Sequence, residues 1–313
     1  GVSQYIFTSL TTRTGTLWPH VQSYLYLYIP LLTMGIVSRE ITNGSIRLMY
    51  SSPVKNAQII LGKFIALVGY AAILLLPLFL YVVFTWATST NFEIAWVLSG
   101  LLGLFLLTCT YMSIGIFVSS LTTHQGVAAI CTLLIFMFLS AIGSLLQQYD
   151  LVREISYWLS INGRAENFIR GLICSEDLIY FIAICATFIS LTIIRLHAIR
   201  QKQHLTATLG KNLIILIAVC AVALLSSRPS LTVYRDVTDI QKNTLSEPSR
   251  EIMKQVKGKT TVTAYVNIFD RRYHHFSYPG FIIQNREIFR RYTRFKPDLD
   301  IKTVYYYALD GKS

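Results

Sequence analysis

The residues of this chain that could do chemistry are few and unevenly placed. The stretch SREITNGSIRLMYSSPVKNAQIILGKF, Ser38 to Phe64, sets Arg39, Glu40, Arg47, Pro53, Lys55 and Lys63 between two apolar flanks. Charges of both signs beside a lipid-like run suit a contact at a membrane surface. Asp270, His274 and His275 invite a metal or acid–base reading. Adjacent histidines on an extended segment point to opposite faces, however, and no Cys or third His follows at ligand spacing, so a solvated loop is the better account. Arg286, Arg290, Arg291 and Arg294 make a basic face at helical spacing. Solvation is its default role, and anionic glycan or lipid headgroups are the sharper one. No nucleophile, base and orienter set stands out, and there is no G-x-x-x-x-G-K-[ST] loop, so ATP hydrolysis is not this chain's own work.

The elements that must position these residues are set by composition. The chain has 313 residues, 53% hydrophobic and 14% charged, with a mean hydropathy of +0.49, against roughly 25% charged in a soluble globular chain. This is the composition of a membrane protein. Residues 1–227 carry 12 Lys/Arg and 7 Asp/Glu, and residues 228–313 carry 16 and 9, so a water-facing domain is expected from Arg228 onward. Cys109, Cys131, Cys185 and Cys220 lie in apolar runs, where Cys behaves as a small hydrophobe, and only Cys174 is in a polar loop. Neither a disulfide framework nor a metal cluster is indicated. The chain opens at Gly1 with nothing like a signal peptide, and Gly1 is read as a cut end.

A span needs about 20 mostly apolar residues. Six segments meet or approach that length: Leu17 to Val37, Phe64 to Trp86, Trp96 to Val118, Gly126 to Leu146, Leu178 to Ile194, and a marginal sixth, Leu213 to Leu225. The sixth is long enough for either a span or a buried soluble helix. Lys211 and Arg228, one beyond each end, favour a span with snorkelling flanks.

Lys and Arg in short loops set the orientation. Arg39, Arg47, Lys55 and Lys63 place the loop after the first span in the cytoplasm. Alternation puts Ala87 to Ala95, which lacks Lys and Arg, outside, and Ser119 to Gln125 inside. Gln147 to Asp177, with three Arg against five acids, then lies outside, and Arg195, Arg200, Lys202 and Lys211 lie inside. The tail after Arg228 is then extracytoplasmic. The segment after the first span is either a surface helix or an ordinary connector. As a helix it would rest Ile41, Ile46, Leu48 and Met49 on the membrane, turn Arg39, Glu40 and Arg47 to water, and end at Pro53.

The order E-x-x-x-G-S-I-x-L-x-x-S-x-P-V followed after eight residues by G-K falls at Glu40, Gly44, Ser45, Ile46, Leu48, Ser51, Pro53, Val54, Gly62 and Lys63. It resembles the signature of ABC-2 type permeases. The resemblance implies that this segment is the coupling helix that meets a separate ATP-hydrolysing subunit, with Arg39, Glu40, Gly44, Arg47, Pro53 and Lys63 as the contact residues. IGIFVSSLTTHQGVAAI (Ile114 to Ile130) is similar to the family's inner turn between two later spans, and FIRGLICSEDLIYF (Phe168 to Phe181) to the lead-in to its last span. The gliding-motility-associated permeases of Bacteroidetes-type bacteria are the subgroup it resembles most, from about Leu17 to Ile194. Tyr234 to Met253 looks like the auxiliary subunit of that system, with Asp236, Val237 and Thr238 in place of D-L-T and with Thr244, Leu245 and Ser246 kept. The resemblance thus implies two subunits fused. The family permease has six spans and five precede the tail, so the missing one is expected before Gly1.

In the tail, Ser246 is placed to cap a helix over Glu247 to Lys257, with Pro248 in its first turn, and Gly258 is placed to stop it. TVTAYVNI (Thr261 to Ile268) and DIKTVYYYAL (Asp300 to Leu309) read as strands around a helical pattern over Phe281 to Phe295, which suggests a parallel α/β unit. The expected architecture is an all-α polytopic ABC-2 permease-like membrane domain (1–198), a cytoplasmic linker with an additional transmembrane helix (199–227), and the beginning of an extracytoplasmic α/β auxiliary domain (228–313).

The function implied is the permease subunit of an ABC transporter in a bacterial inner membrane. It would work as a homodimer or pseudo-dimer beside an ABC ATPase subunit, with no cofactor of its own, ATP on the partner and no nucleic acid. The alternative is a non-transporting scaffold linking that ATPase to an envelope partner. A membrane enzyme with a catalytic tail is a third class, and it lacks a visible catalytic set. The spans carry no Lys, Arg, Asp or Glu beyond Lys63 at an edge, which disfavours an ion-coupled transporter. Gly100, Gly103 and Gly115 are expected to serve close helix packing. The loop Gln147 to Asp177 is too apolar for a free linker and is expected to hold short helices, with Arg164 and Arg170 pairing locally to Glu166, Glu176 and Asp177 as exposed pairs.

Overall fold

The computed structural model describes residues 17–46, 54–88, 92–141, 161–201, 205–226, 233–239, 241, 243–256, 258–267, 289, 291–293, 295–296 and 298–306. Arg47, Pro53, Asp270, His274, His275, Arg286, Arg290 and Arg294 lie outside the described residues, as do 147–160 of the loop. Internal contacts divide the chain into two compact units, residues 1–137 with 164–237 and residues 138–163 with 238–313.

The first unit is helical. It holds α1 (Leu17–Thr33), α2 (Ser38–Thr42), α3 (Asn56–Thr88), α4 (Ile94–Leu121), most of α5 (Gln125–Ala141) and most of α6 (Ile161–Ile169). The strand β1 (Leu172–Cys174), α7 (Ser175–Gln201), α8 (Leu205–Ser226) and β2 (Tyr234–Asp236) follow. Four described helical stretches are long and apolar enough to cross a membrane: His20–Thr42, Asn56–Thr88, Ile94–Leu121 and Ser175–Gln201. Gln125–Ala141 and the Gly210–Val219 part of α8 are shorter apolar helices.

The helices overrun the apolar runs that seed them. Once nucleated, a helix adds one backbone hydrogen bond per residue, so it continues until a cap or a breaker stops it. Thus α3 begins at Asn56 rather than Phe64, which places Lys63 inside the helix. Its 33 residues make it about 50 Å long, longer than the hydrocarbon core of about 30 Å. Likewise α7 begins at Ser175 and brings Glu176 and Asp177 into its first turn. The sixth run is a helix from Leu205, starting before Lys211. The first stops at Thr33, four residues before Val37.

The centre of this unit is α4, which packs against α1, α3 and α7. Its face against α1 steps along the helix. Gly100 lies against the Trp18 ring and Gly115 against Thr33, and the Tyr111 ring is 5.4 Å from that of Tyr26. Because both series ascend together, α1 and α4 run parallel. The Phe136 ring of α5 closes this cluster 4.3 Å from Tyr111. The expectation that the α4 glycines serve packing holds in geometry: a Cβ at Gly103 would stand 2.5 Å from the Phe168 Cβ.

After α8 the chain returns to the start of α7. There β2 pairs antiparallel with β1, Leu172 opposite Asp236 and Cys174 opposite Tyr234. The amide of Val237 donates to Gly171 O (2.9 Å) and that of Ser175 to Val233 O (2.8 Å). Gly171, at φ 84°, makes the left-handed turn from α6 into β1 that a residue with a Cβ would resist. These flanking bonds make Cys174 and Tyr234 a non-hydrogen-bonded pair, the kind whose side chains stand closest. Tyr234→Cys is therefore expected to form a disulfide with the native Cys174 under mild oxidation, detected as loss of both thiols to alkylation. Two alkylated thiols would mean the ribbon is not paired in this register.

The second unit holds α9 (Glu247–Gln255), β3 (Thr260–Asn267) and β4 (Leu299–Tyr306). The strands are parallel over their full length, from Thr260 opposite Leu299 to Asn267 opposite Tyr306. A parallel pair needs a crossover connection, as the strand–helix–strand pattern implies. Ser246 occupies the N-cap of α9 without a side-chain cap bond, its hydroxyl meeting Ser249 instead (2.9 Å). Gly258 follows the helix at φ 83°.

Candidate functional site

The sequence places the contact with a partner just after α1. Helix α1 ends in a turn, with Met34 N donating to Pro30 O (3.0 Å) and Ile36 N to Thr33 O (3.2 Å). The short α2 then starts at Ser38 and is ended by Asn43 and Gly44, whose φ of 70° is the left-handed conformation typical after a helix C-cap. Ser45 and Ile46 are helical again where the description stops. Gly44 is thus the terminator that separates two helical turns.

Three contacts fasten α2 to the helices behind it. Lys63, on the second turn of α3, forms an ion pair with Glu40 and donates to Ile36 O at 2.7 Å. Ser119, on the last turn of α4, accepts from the amides of Val37 and Ser38, each at 3.1 Å. Thr42 donates to Thr123 O in the turn between α4 and α5. Of the six contact residues expected from the sequence, Arg39 is exposed, while Glu40 and Lys63 are turned toward each other and half-buried. The expectation that Glu40 is exposed is corrected: with the Lys63 ammonium on the helix behind it, pairing outcompetes hydration. Arg47 and Pro53 lie outside the described residues. Nothing in the sequence pattern flagged Ser119, because one serine among apolar residues carries no periodic signal.

The same end of the bundle gathers the cations. Arg200, in the last turn of α7, donates to Asn56 Oδ1 at the start of α3 (3.4 Å), so Lys55, Lys63 and Arg200 belong to one end together with Arg39.

The opposite end is closed by α6. Trp96 Nε1 donates to Ile169 O (2.7 Å) and Ser99 Oγ to Phe168 O (2.8 Å), satisfying the last carbonyls of α6 from the start of α4. Arg164 of α6, only 3% exposed, reaches the first turn of α7. Its Nη1 is 2.8 Å from Asp177 Oδ1 and 3.2 Å from Glu176 Oε1. Asn167 Nδ2 donates to Asp177 Oδ2 at 2.8 Å, and the guanidinium lies 4.2 Å above the Tyr180 ring. One cation meets two carboxylates, and the positive N-terminal end of α7 offsets the excess negative charge. The sequence reading of exposed pairs is right only for Arg170 and Glu166, an i,i+4 pair with both side chains 55% exposed. Arg164 is corrected to a buried cluster.

A groove of about 590 Å³ runs between α1 and α3, lined by Tyr24, Tyr28, Leu31, Leu74, Pro77 and Tyr81 among others. Its walls are almost wholly apolar. Among the described residues no group of three or more His, Cys, Asp or Glu is placed to hold a metal ion.

A family model for ABC-2 family transporter proteins matches residues 24–228, more than half of the chain. The chain belongs to the ABC-2 transporter family. No curated protein and no solved structure matches it. As an ABC-2 permease it is a membrane component of a transporter and not the catalytic subunit, and the family implies an ABC ATPase partner in general. The matched region of the permease runs from α1 through α8 and stops before β2. It contains both the fastened segment at one end and the α6 closure at the other.

Proposed function

We propose that this permease moves a substrate across a bacterial inner membrane with ATP hydrolysed on a separate subunit, and that this ATPase docks on the segment from Ser38 to Asn56. The observation that carries the reading is that α2 exposes Arg39 while Glu40, Val37, Ser38 and Thr42 are bound to α3, α4 and the turn after α4. A segment held this way can take a push from outside and pass it to the spanning helices. The cations at that end, Arg39, Lys55, Lys63 and Arg200, make it the cytoplasmic face by the positive-inside rule. Residues from Tyr234 onward then emerge on the other side, where β2 pairs with β1. ATP sits on the partner, and this chain binds no cofactor of its own. Two copies, or this chain with a related permease, form the translocation unit.

The gliding-motility-associated subgroup is the finer assignment. Support for it is the D-V-T and T-L-S pattern of Asp236 to Thr238 and Thr244 to Ser246, lying where the second compact unit begins. That pattern also supports a fusion of permease and auxiliary subunit. A second reading, a scaffold that links the ATPase to an envelope partner without transport, is favoured by the 238–313 part of that unit, which has its own parallel strand pair and follows the end of the family match.

The test is charge reversal at the docking face. In the complex with the ATPase, Arg39→Glu is expected to lower permease-stimulated ATP hydrolysis about tenfold or more, since like-charge placement at an interface costs several kcal/mol. The variant should elute as wild type on size exclusion. Unchanged stimulation would remove α2 from the docking site.

A further inference from the structure

One hydroxyl joins α1, α2 and α4. Ser119 Oγ accepts from Val37 N and Ser38 N, each at 3.1 Å, and donates to Met34 O at 2.8 Å. A serine hydroxyl has one donor and two acceptor positions, so all three are used, and all three go to the turn where α1 ends and α2 begins. Ser119, Val37 and Ser38 are each fully buried, so water is not at hand to replace the two bonds to the amides. One helical turn earlier on the same face of α4, Gly115 lets Thr33 come into direct contact. The backbone of the α1–α2 turn therefore rests on a smooth face of α4 and is pinned there by one side chain.

We infer that Ser119 is the positioning residue that transmits movement of α2 to α4. The inference rests on the reading of α2 as the ATPase-docking segment and deepens it. The ion pair of Lys63 with Glu40 lies at the rim of α2 with its side chains 19% and 24% exposed, so water reaches both partners. The two Ser119 bonds to the buried amides have no such substitute. A push on α2 reaches α3 through a contact that solvent can loosen, and reaches α4 through one that it cannot. Because α4 is the helix against which α1, α3 and α7 pack, a displacement delivered at Ser119 is delivered to the centre of the bundle.

Ser119→Thr and Ser119→Val separate the hydroxyl from bulk, since both add branching at Cβ and only Thr keeps the oxygen. In the full chain with its ATPase, seating of α2 is read by cross-linking a Thr42→Cys, Thr123→Cys pair, with each single cysteine variant as background. The Thr variant is expected to cross-link as the parent does. The Val variant is expected to fall about tenfold, the order of effect of leaving buried amides unpaired. The ATPase should still co-purify with the Val variant while its stimulated hydrolysis is lost, because Arg39 is untouched. Parent-level cross-linking in both Thr and Val overturns the inference. If both fall, Ser119→Ala, which adds no volume, decides: retained cross-linking overturns the inference and loss supports it. Failure of the docking reading shows separately, as unchanged ATPase stimulation in Arg39→Glu.

Discussion

Replacing Arg164 with alanine is expected to leave little folded permease. The guanidinium is the cation between Glu176 and Asp177, in a cluster where Asp177 is fully buried. Removing one partner of a buried pair leaves an uncompensated charge and costs about 3 to 5 kcal/mol, a large share of the roughly 5 to 15 kcal/mol that holds a typical protein folded. Fluorescence-detected size exclusion of the detergent-solubilised protein, with a thermal ramp, should show a lower yield and a melting shift of several degrees. Arg170→Ala is the control. Its pair with Glu166 is exposed, and such pairs contribute about 0 to 1 kcal/mol, so it should behave as wild type. If the two variants match each other, the guanidinium is not the cation that neutralises α7's first turn. Because the cluster joins α6 to α7 beside the β1–β2 ribbon, its loss should also expose the Cys174 thiol to alkylation.

The second large effect is expected at Gly115. A Cβ there would overlap Thr33 Oγ1 and stand 2.6 Å from Thr33 Cβ. Thr33 is fully buried, and its hydroxyl is committed to Ile29 O at 2.9 Å, so it has no room to turn away. Gly115→Ala must separate α1 from α4, and such overpacking costs about 1 to 3 kcal/mol or more. Thr33→Gly in the same chain should recover part of the loss, because it removes the atoms that clash. Gly62→Ala, Gly69→Ala and Gly126→Ala meet nothing within 4 Å. They are expected to be neutral or slightly stabilising, since Ala favours helix by about 1 kcal/mol over Gly. Melting curves of the five variants check the whole set. A stable Gly115→Ala would show that α1 and α4 are not in contact at this point, and would weaken the case for Ser119 one turn below.

Much of the permease architecture was legible along the chain, because what decides it is local. Apolar run length marked the four described helices long enough to cross a membrane, while the fourth and sixth runs form shorter apolar helices, and the small residues at Gly100, Gly103 and Gly115 announced close packing. The E-x-x-x-G-S pattern fell on α2, and of the helices expected before α7 the described residues hold α6, Ile161–Ile169.

The tertiary structure alone decided which faces meet. A helix in lipid is apolar all round, so its sequence has no hydrophobic stripe to say which side packs inward. Nothing in α4 therefore foretold that Ser119 would pin residues 37 and 38, some eighty positions earlier. Charges suffer the same blindness. Arg164 and Arg170 look alike in a polar loop, and burial of one but not the other arises only when α6 is laid against α7. Glu40 reads as an exposed charge and Lys63 as a loop cation at the edge of a span until α3 is seen to start at Asn56 and carry Lys63 behind α2. The return of β2 to β1 likewise depends on α7 and α8 doubling back through matched lengths. Local free energies of transfer and helix propensity are properties of the sequence, whereas pairing energies depend on distances that exist only once the helices are packed.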